Sequence, residues 1–425
     1  MYNVRKVLDG VWWTGAQDRR LALFENTYEV PAGMSYNNYV IVDEKTCLMD
    51  GIDAAVEQQF HENLAHVLAG RPLDYMVVDH MEPDHCAAIP ALVEKYPAMK
   101  IVATAKAFRM MEQFYDFDVD SRKIVVKEGD TLCLGAHTLQ FIMAPMVHWP
   151  EVMVSYETTS KILFAADAFG AYGALSGGIF ADEVEWERDW PDETRRYYTN
   201  IVGKYGPQTN ALLKKAGKLE INYICPLHGV IWRKDFHLIL DRYKKWATYT
   251  PEINSVAIFY GSVYSGTENA ADILSVKLAE LGVRNVRVFD VSKTSLSEML
   301  SRAFEYSTWV FAAATYNMGI FDRMQFLLHD IHSHNLRNRW VGLIENGTWG
   351  PLANSLMKKE LDGLKDITYL EPEITINSGV KEETVQQLDT LAHALAQAVR
   401  DNPFFEPDPH TVHNDPCDDV SCKLH

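Results

Sequence analysis

The chain has 425 residues, 47% of them hydrophobic, and a formal net charge of −18; that length exceeds one average domain and buries ample core without cross-links. The acidic balance leaves no extended basic surface to neutralise phosphates, which argues against nucleic acid and anionic membranes as partners. Six cysteines over this length make no secreted disulfide scaffold, no run approaches a membrane span and no leader with an apolar core opens the chain, so a soluble, cytoplasmic protein is expected.

Residues 1–53 alternate short apolar runs with turns, the pattern of hairpins in an antiparallel or mixed sheet. Val56, Phe60, Leu64 and Val67 then recur at helical spacing, with Gly70 as the stop. The apolar run 75–79 reads as a buried strand, so His80-Met81-Glu82-Pro83-Asp84-His85 falls where a strand ends and its loop begins. Four metal-ligand side chains in six positions exceed what a solvated loop needs. Imidazole mixed with carboxylate leans toward iron or manganese over a structural zinc.

Helices at 87–95 and 105–114 flank a strand at 100–104, and β character returns at 123–126, 130–134 and 138–142. His148 follows in the loop 145–150. A hairpin of 152–156 and 161–166 then puts Asp167 at a strand end, where a buried carboxylate is costly unless it meets a cation. Residues 192–218 read as mostly helical with a break near Gly206-Pro207; a strand and loop at 223–229 carry His228, and a helix at 238–250 closes the first domain. Cys47, Cys86, Cys133 and Cys225 lie in or beside apolar segments and read as small buried hydrophobes. The periodicity alone gives a mixed α and β class.

After a short linker at 251–254 the pattern becomes strand, loop, helix. A strand at 256–260 leads into Gly261-Ser262-Val263-Tyr264-Ser265-Gly266-Thr267 and a helix over 268–281. Backbone N–H groups at a helix start, supplemented by hydroxyls, suit a dianionic phosphate. The loop matches neither a nucleoside triphosphate loop nor a dinucleotide fingerprint. Strands at 309–314 and 341–344 end in Thr315-Tyr316-Asn317-Met318-Gly319 and Glu345-Asn346-Gly347-Thr348-Trp349-Gly350, at the carboxyl ends where doubly wound sheets bind ligands. The acidic tail at 403–425 reads as an extension. Its His410, His413 and His425 could bind metal adventitiously, and its two cysteines, Cys417 and Cys422, are too few for a four-thiolate iron site.

His80-x-Glu82-x-Asp84-His85, His148, Asp167 in Ala165-Ala166-Asp167-Ala168-Phe169-Gly170, and His228 in Cys225-Pro226-Leu227-His228-Gly229 resemble the flavodiiron proteins, A-type flavoproteins that reduce oxygen or nitric oxide. The resemblance covers the chain to about residue 402. Hydrolases of the related metallo-β-lactamase-like superfamily carry histidine where Glu82 stands. The resemblance implies an αβ/βα metallo-β-lactamase-like sandwich over residues 1–250 and a flavodoxin-like doubly wound parallel sheet over 255–402. It implies two iron ions, one held by His80, Glu82 and His148, the other by Asp84, His85 and His228, with Asp167 bridging. It also implies FMN, with the phosphate on Ser262, Val263, Tyr264, Ser265, Gly266 and Thr267. The ring would stack on Tyr316 and Trp349 and meet Asn317, Asn346 and Gly347 at its polar edge, with Thr315, Gly319, Thr348 and Gly350 completing the two loops. Gly261 departs from the family, where an acidic residue is common. Tyr172, where some members have histidine, and Tyr197 are implied to approach the diiron site and to hydrogen-bond a substrate.

The activity so implied is reduction of dioxygen to water, or of nitric oxide to nitrous oxide, through FMN. A separate rubredoxin or a reduced deazaflavin coenzyme would be the donor. A domain of this size has a radius of gyration of roughly 18 Å, so a head-to-tail homodimer, or a dimer of such dimers, is the implied way to bring one chain's flavin to its partner's irons. The competing readings are a dizinc hydrolase fused to a flavodoxin-like module, which Glu82 opposes by adding negative charge to the site, and an electron carrier or sensor using flavin alone.

Overall fold

Short strands need partners on both sides to satisfy their backbone groups, and the apolar runs near the N-terminus find them. Arg5–Leu8, Val11–Trp13, Tyr39–Val42 and Thr46–Met49 pair antiparallel in that order. Tyr75–Val77, Lys100–Ala103 and Lys123–Val125 extend the sheet in parallel, with helices Glu57–Leu68, Ile89–Lys95 and Ala105–Phe114 between them in the chain. Phe60, Leu64 and Leu68 form the buried stripe of the first helix. Leu68 takes the place expected for Val67 because the helix runs to Leu68 before Ala69 and Gly70 turn left-handed (φ 49° and 86°).

The second sheet runs Thr131–Cys133, Thr138–Met143, Met153–Glu157, Ile162–Phe164, Tyr223–Cys225, antiparallel except for the last pair. Tyr39 of the first sheet packs on Phe164 of the second at 5.4 Å between ring centres, and Met153 N donates to Asp79 O at 3.1 Å. This is the αβ/βα sandwich. Cys133 is exposed, contrary to expectation; Thr131–Cys133 is an edge strand whose alternation turns that side chain outward. The break expected near Gly206-Pro207 falls in the turns just before it. Helix Pro191–Tyr197 passes through a π turn, Tyr198–Val202, and a tight turn, Gly203–Tyr205, before Gly206–Ala216 begins. Pro207 starts that helix instead of breaking one, because a first-turn residue needs no N–H.

The computed structural model describes residues 1–406, so the expectations about Cys417, Cys422, His410, His413 and His425 lie outside the described residues. The chain divides into two units at Tyr249 and Thr250. In the second unit the strands run Arg287–Asp290, Ile253–Gly261, Tyr306–Tyr316, Arg339–Asn346, Ile367–Tyr369. That is the order 2-1-3-4-5, all parallel, the flavodoxin-like doubly wound arrangement. Ile374–Ile376 pairs with the later half of Arg339–Asn346. Helices Gly266–Glu280 and Glu382–Arg400 cover one face through Leu274, Leu278, Leu391 and Leu395 against Ile258, Val310 and Ile344. The expected linker shrinks, since Ile253 and Asn254 already belong to the first strand. Among the described residues no helix is long and apolar enough to cross a membrane.

Candidate metal centre and flavin-type loops

Three strand ends, from both sheets of the first unit, deliver most of the metal-ligand side chains. His80 follows Tyr75–Val77, with Asp84 and His85 in the short helix Pro83–Cys86 just after it. Asp167 follows Ile162–Phe164, and His228 follows Tyr223–Cys225. His148 comes from the loop between Thr138–Met143 and Met153–Glu157. All seven expected ligands are buried and converge.

They form two groups. In the first, His80 Nε2 and His148 Nε2 lie 3.1 and 3.0 Å from Glu82 Oε2, and 3.4 and 3.1 Å from Asp167 Oδ2. In the second, His85 Nε2 and His228 Nε2 each lie 3.2 Å from Asp84 Oδ2, and 3.2 and 3.7 Å from Asp167 Oδ1. Asp167 therefore turns one oxygen to each group. Donors bonded at about 2.1 Å to one metal stand roughly 3.0 to 3.4 Å apart for right-angle to tetrahedral geometry, which is the spacing seen for every pair except the 3.7 Å from His228 Nε2 to Asp167 Oδ1.

Among the described residues, both oxygens of Asp84 and Asp167, both ring nitrogens of His85 and Nε2 of His228 are buried without a hydrogen-bond partner. Such atoms cost several kcal/mol unless a cation meets them. Three carboxylates and four neutral imidazoles balance two divalent ions to within one charge, and the nitrogen and oxygen donor set without thiolate suits iron. The residues fit a metal pair.

Without metal the cluster is held by protons. Burial pulls His148 and His85 down, but the carboxylates of Asp167 and Glu82 beside His148, and the charges of Asp84 and Asp167 beside His85, outweigh it and raise each to about 9. His80 is raised in the same way by Asp167, Glu151 and Glu82. Burial pushes Glu82 and Asp167 up, and the same histidines overcome it and hold both well below the carboxylate range.

Several side chains behind the ligands are absent from the set expected from sequence. Glu151 Oε1 accepts from His80 Nδ1 at 2.8 Å and Met81 N at 3.0 Å. Ser35 O takes His228 Nδ1 at 2.7 Å, while Ser35 Oγ accepts from Gly229 N at 2.7 Å. Asp50 Oδ1 accepts from Asp79 N and His80 N. Asp50 and Asp79 end apolar runs just as the ligands do, a signal that could have found them; Glu151 and Ser35 had none. Fixing the far nitrogen of a ligating histidine sets its tautomer and basicity. Glu151→Gln is therefore expected to weaken metal retention by about 10- to 100-fold with the fold unchanged, as read by chelator competition. Cys86 donates to Met81 O and faces the Tyr115 hydroxyl at 3.2 Å, so it is engaged elsewhere.

Tyr172 and Tyr197 are buried with hydroxyls that have no partner among the described residues. Their rings meet edge-on at 5.1 Å, and Tyr197 lies 5.4 Å from the His228 ring. The guanidinium of Arg196 sits 4.5 Å above Tyr172. The hairpin Leu23–Phe24 and Tyr28–Glu29 closes this side. Phe24 sets its edge against His228 at 5.5 Å, and Glu25, in a left-handed turn (φ 51°), stands beside Glu82. Desolvation and that contact push the Glu25 carboxyl up to about 8.

In the second unit Ser262 Oγ is shielded and without a partner among the described residues, and Ser265 in left-handed backbone (φ 63°) begins helix Gly266–Glu280. Gly261 is explained locally, since a Cβ there would lie 2.6 Å from the Phe321 ring. Thr315 and Tyr316 continue their strand into a hairpin with Gly319–Ile320, with Asn317 and Met318 left-handed in its turn. Thr315 Oγ1 accepts from Leu352 N and Ala353 N at the start of helix Ala353–Glu360. Tyr264, Trp349, Tyr316 and Met318 are exposed around these loops. Asn346, expected at a ring edge, also braces the backbone of a neighbouring loop. Its Nδ2 donates to Ser378 O at 3.0 Å and its Oδ1 accepts from Ser378 N at 3.1 Å, so both ends of the amide are engaged.

A family model described as ODP family beta lactamase matches residues 34–229. A nitric oxide reductase of Moorella thermoacetica is 31% identical over 402 residues, 93% of this chain and 98% of that protein. The rubredoxin oxygen:oxidoreductase of Desulfovibrio gigas superposes with a TM-score of 0.85 at 30% identity, over 93% of this chain and 98% of that one. A flavodiiron protein of Thermotoga maritima gives 0.85 at 25% identity over the same shares. With likeness running through both units, and two donor groups sharing one aspartate, the chain belongs to the flavodiiron family of oxidoreductases.

Proposed function

We propose that this protein reduces dioxygen to water, nitric oxide to nitrous oxide, or both, at a non-haem diiron site, with electrons relayed through FMN. The observation that carries the reading is Asp167, whose two oxygens face two separate groups of buried donors, one towards His148 and the other towards His85. When bound, two ferrous ions and a reduced flavin would together supply four electrons, the number that takes dioxygen to water; a pair of nitric oxide molecules needs two.

The chain's own residues do the rest. Neutral imidazoles of His80, His148, His85 and His228 and the carboxylates of Glu82, Asp84 and Asp167 would hold the irons. Glu151 and the Ser35 carbonyl orient two of the rings. Phe24, Tyr172 and Tyr197 line the His228 side with aromatic carbon, which limits water, while the phenols, kept protonated by burial, are donors to a small diatomic molecule. In the second unit, Ser262, Val263, Tyr264, Ser265, Gly266 and Thr267 would take the flavin phosphate, and Tyr316 and Trp349 the ring, with Thr315, Asn317, Gly319, Gly347, Thr348 and Gly350 framing it.

The exposed aromatic rim of Tyr264, Tyr316 and Trp349 supports a head-to-tail homodimer, or a dimer of dimers, as such a patch marks a binding surface. A separate rubredoxin or reduced deazaflavin coenzyme would supply electrons in the cytoplasm. The test is anaerobic reduction of the purified protein, then exposure to each gas with electrons and products counted. Four electrons per dioxygen with water as product, or one per nitric oxide with nitrous oxide as product, is expected. Two zinc ions per chain and hydrolase activity without gas reduction would sink the reading. A strictly monomeric variant should keep both cofactors and lose turnover; full turnover would remove the dimer.

A further inference from the structure

Three loops of the second unit meet at one residue pair. Asn346, at the end of Arg339–Asn346, clamps the backbone of Ser378 through both atoms of its amide. Ser378 belongs to the loop after Ile374–Ile376 and stands in left-handed backbone (φ 73°). A non-glycine residue there is strained and persists only where its surroundings demand it. Its hydroxyl meets Thr348 Oγ1 at 3.0 Å, and Gly347 N donates to Ile376 O at 3.0 Å.

The third loop is the candidate phosphate loop. A Cβ on Gly266 would lie 2.3 Å from Ser378 O and 2.8 Å from Asn346 Nδ2, so the clamped pair presses directly on the first residue of helix Gly266–Glu280. The loop carrying Ser262 and Ser265 is thereby backed from behind by a rigid partner. Donors for a phosphate gain most when they are held in place before the ligand arrives.

We infer that Asn346 and Ser378 are positioning residues for the flavin phosphate, and that this clamp sets the site's preference for a phosphorylated flavin over its unphosphorylated form. The inference rests on the FMN reading above. It gives Asn346 a role at the phosphate end, and it adds Ser378, whose loop carries no signal in the sequence.

The test is fluorescence titration of the full-length, flavin-stripped protein with FMN and with riboflavin. The wild type should bind FMN more tightly than riboflavin. Asn346→Ala should weaken FMN binding about tenfold while riboflavin binding changes less than about twofold, because the ring wall is left in place. Ser378→Ala, at an exposed position, removes the hydroxyl that meets Thr348 and should shrink the same preference by about threefold; it decides the matter if Asn346→Ala does not fold. Equal weakening of both ligands, or an undiminished preference in the variants, would overturn the clamp while leaving FMN in place. A wild type that binds neither flavin would overturn the cofactor reading, and the clamp with it.

Discussion

Asp167→Ala is expected to strip both metals from the chain and to lower turnover by at least about 10³-fold, with flavin content unchanged. The reason is its position between the two groups, one oxygen 3.1 Å from His148 Nε2 and the other 3.2 Å from His85 Nε2. Removing it leaves four imidazoles facing two carboxylates, too few donors and too little negative charge for two divalent ions. His228→Ala is the comparison, because His228 pairs with Asp84 and only the second group loses a ligand. One metal per chain in that variant and almost none in Asp167→Ala is the expected pattern. Two metals retained in Asp167→Ala would show that the aspartate does not bridge.

Metal affinity is expected to rise with pH around neutrality. His85 and His148 are held at about 9 and His80 is raised well above its ordinary value. Each must shed a proton before its nitrogen can ligate, so uptake at pH 7 should release more than one proton. By linkage the slope of log affinity against pH equals that number. The slope should flatten as pH passes through about 9. A pH-stat measurement during anaerobic loading counts the protons directly, and release of fewer than one would refute the coupling.

The stability of the metal-free protein follows the opposite course. Histidines raised on folding stabilise it fully below their unfolded value of about 6.5, and lose that contribution as pH rises through about 9. Glu82 and Asp167, lowered on folding, contribute above about 4 and lose it in acid. The metal-free form should therefore resist denaturant best between about pH 4.5 and 6.5. Chelation at pH 9 should destabilise it most.

The ligands are legible in the sequence because metal chemistry is written in side-chain type. Few loops place histidine, glutamate, aspartate and histidine within six residues, and Asp167 and His228 each end an apolar run that promises burial. The sheet order of the second unit follows from the sequence only through resemblance, and the wall behind the ligands is hidden there. Glu151 lies 71 positions from the His80 ring it holds and Ser35 lies 193 from His228, contacts that leave no local pattern.

Residue chemistry and periodicity alone determined that two domains with strands and helices would carry a hard-ligand metal site at strand ends and a phosphate-type loop before a helix. Both are local consequences of side-chain donors, helix dipoles and hydrophobic spacing. Tertiary structure alone decided that Asp167 faces both groups, that the phenols of Tyr172 and Tyr197 stay unpaired beside His228, and that Asn346 clamps Ser378. Those outcomes depend on where side chains distant in sequence come to rest, which is set by how sheets and loops pack.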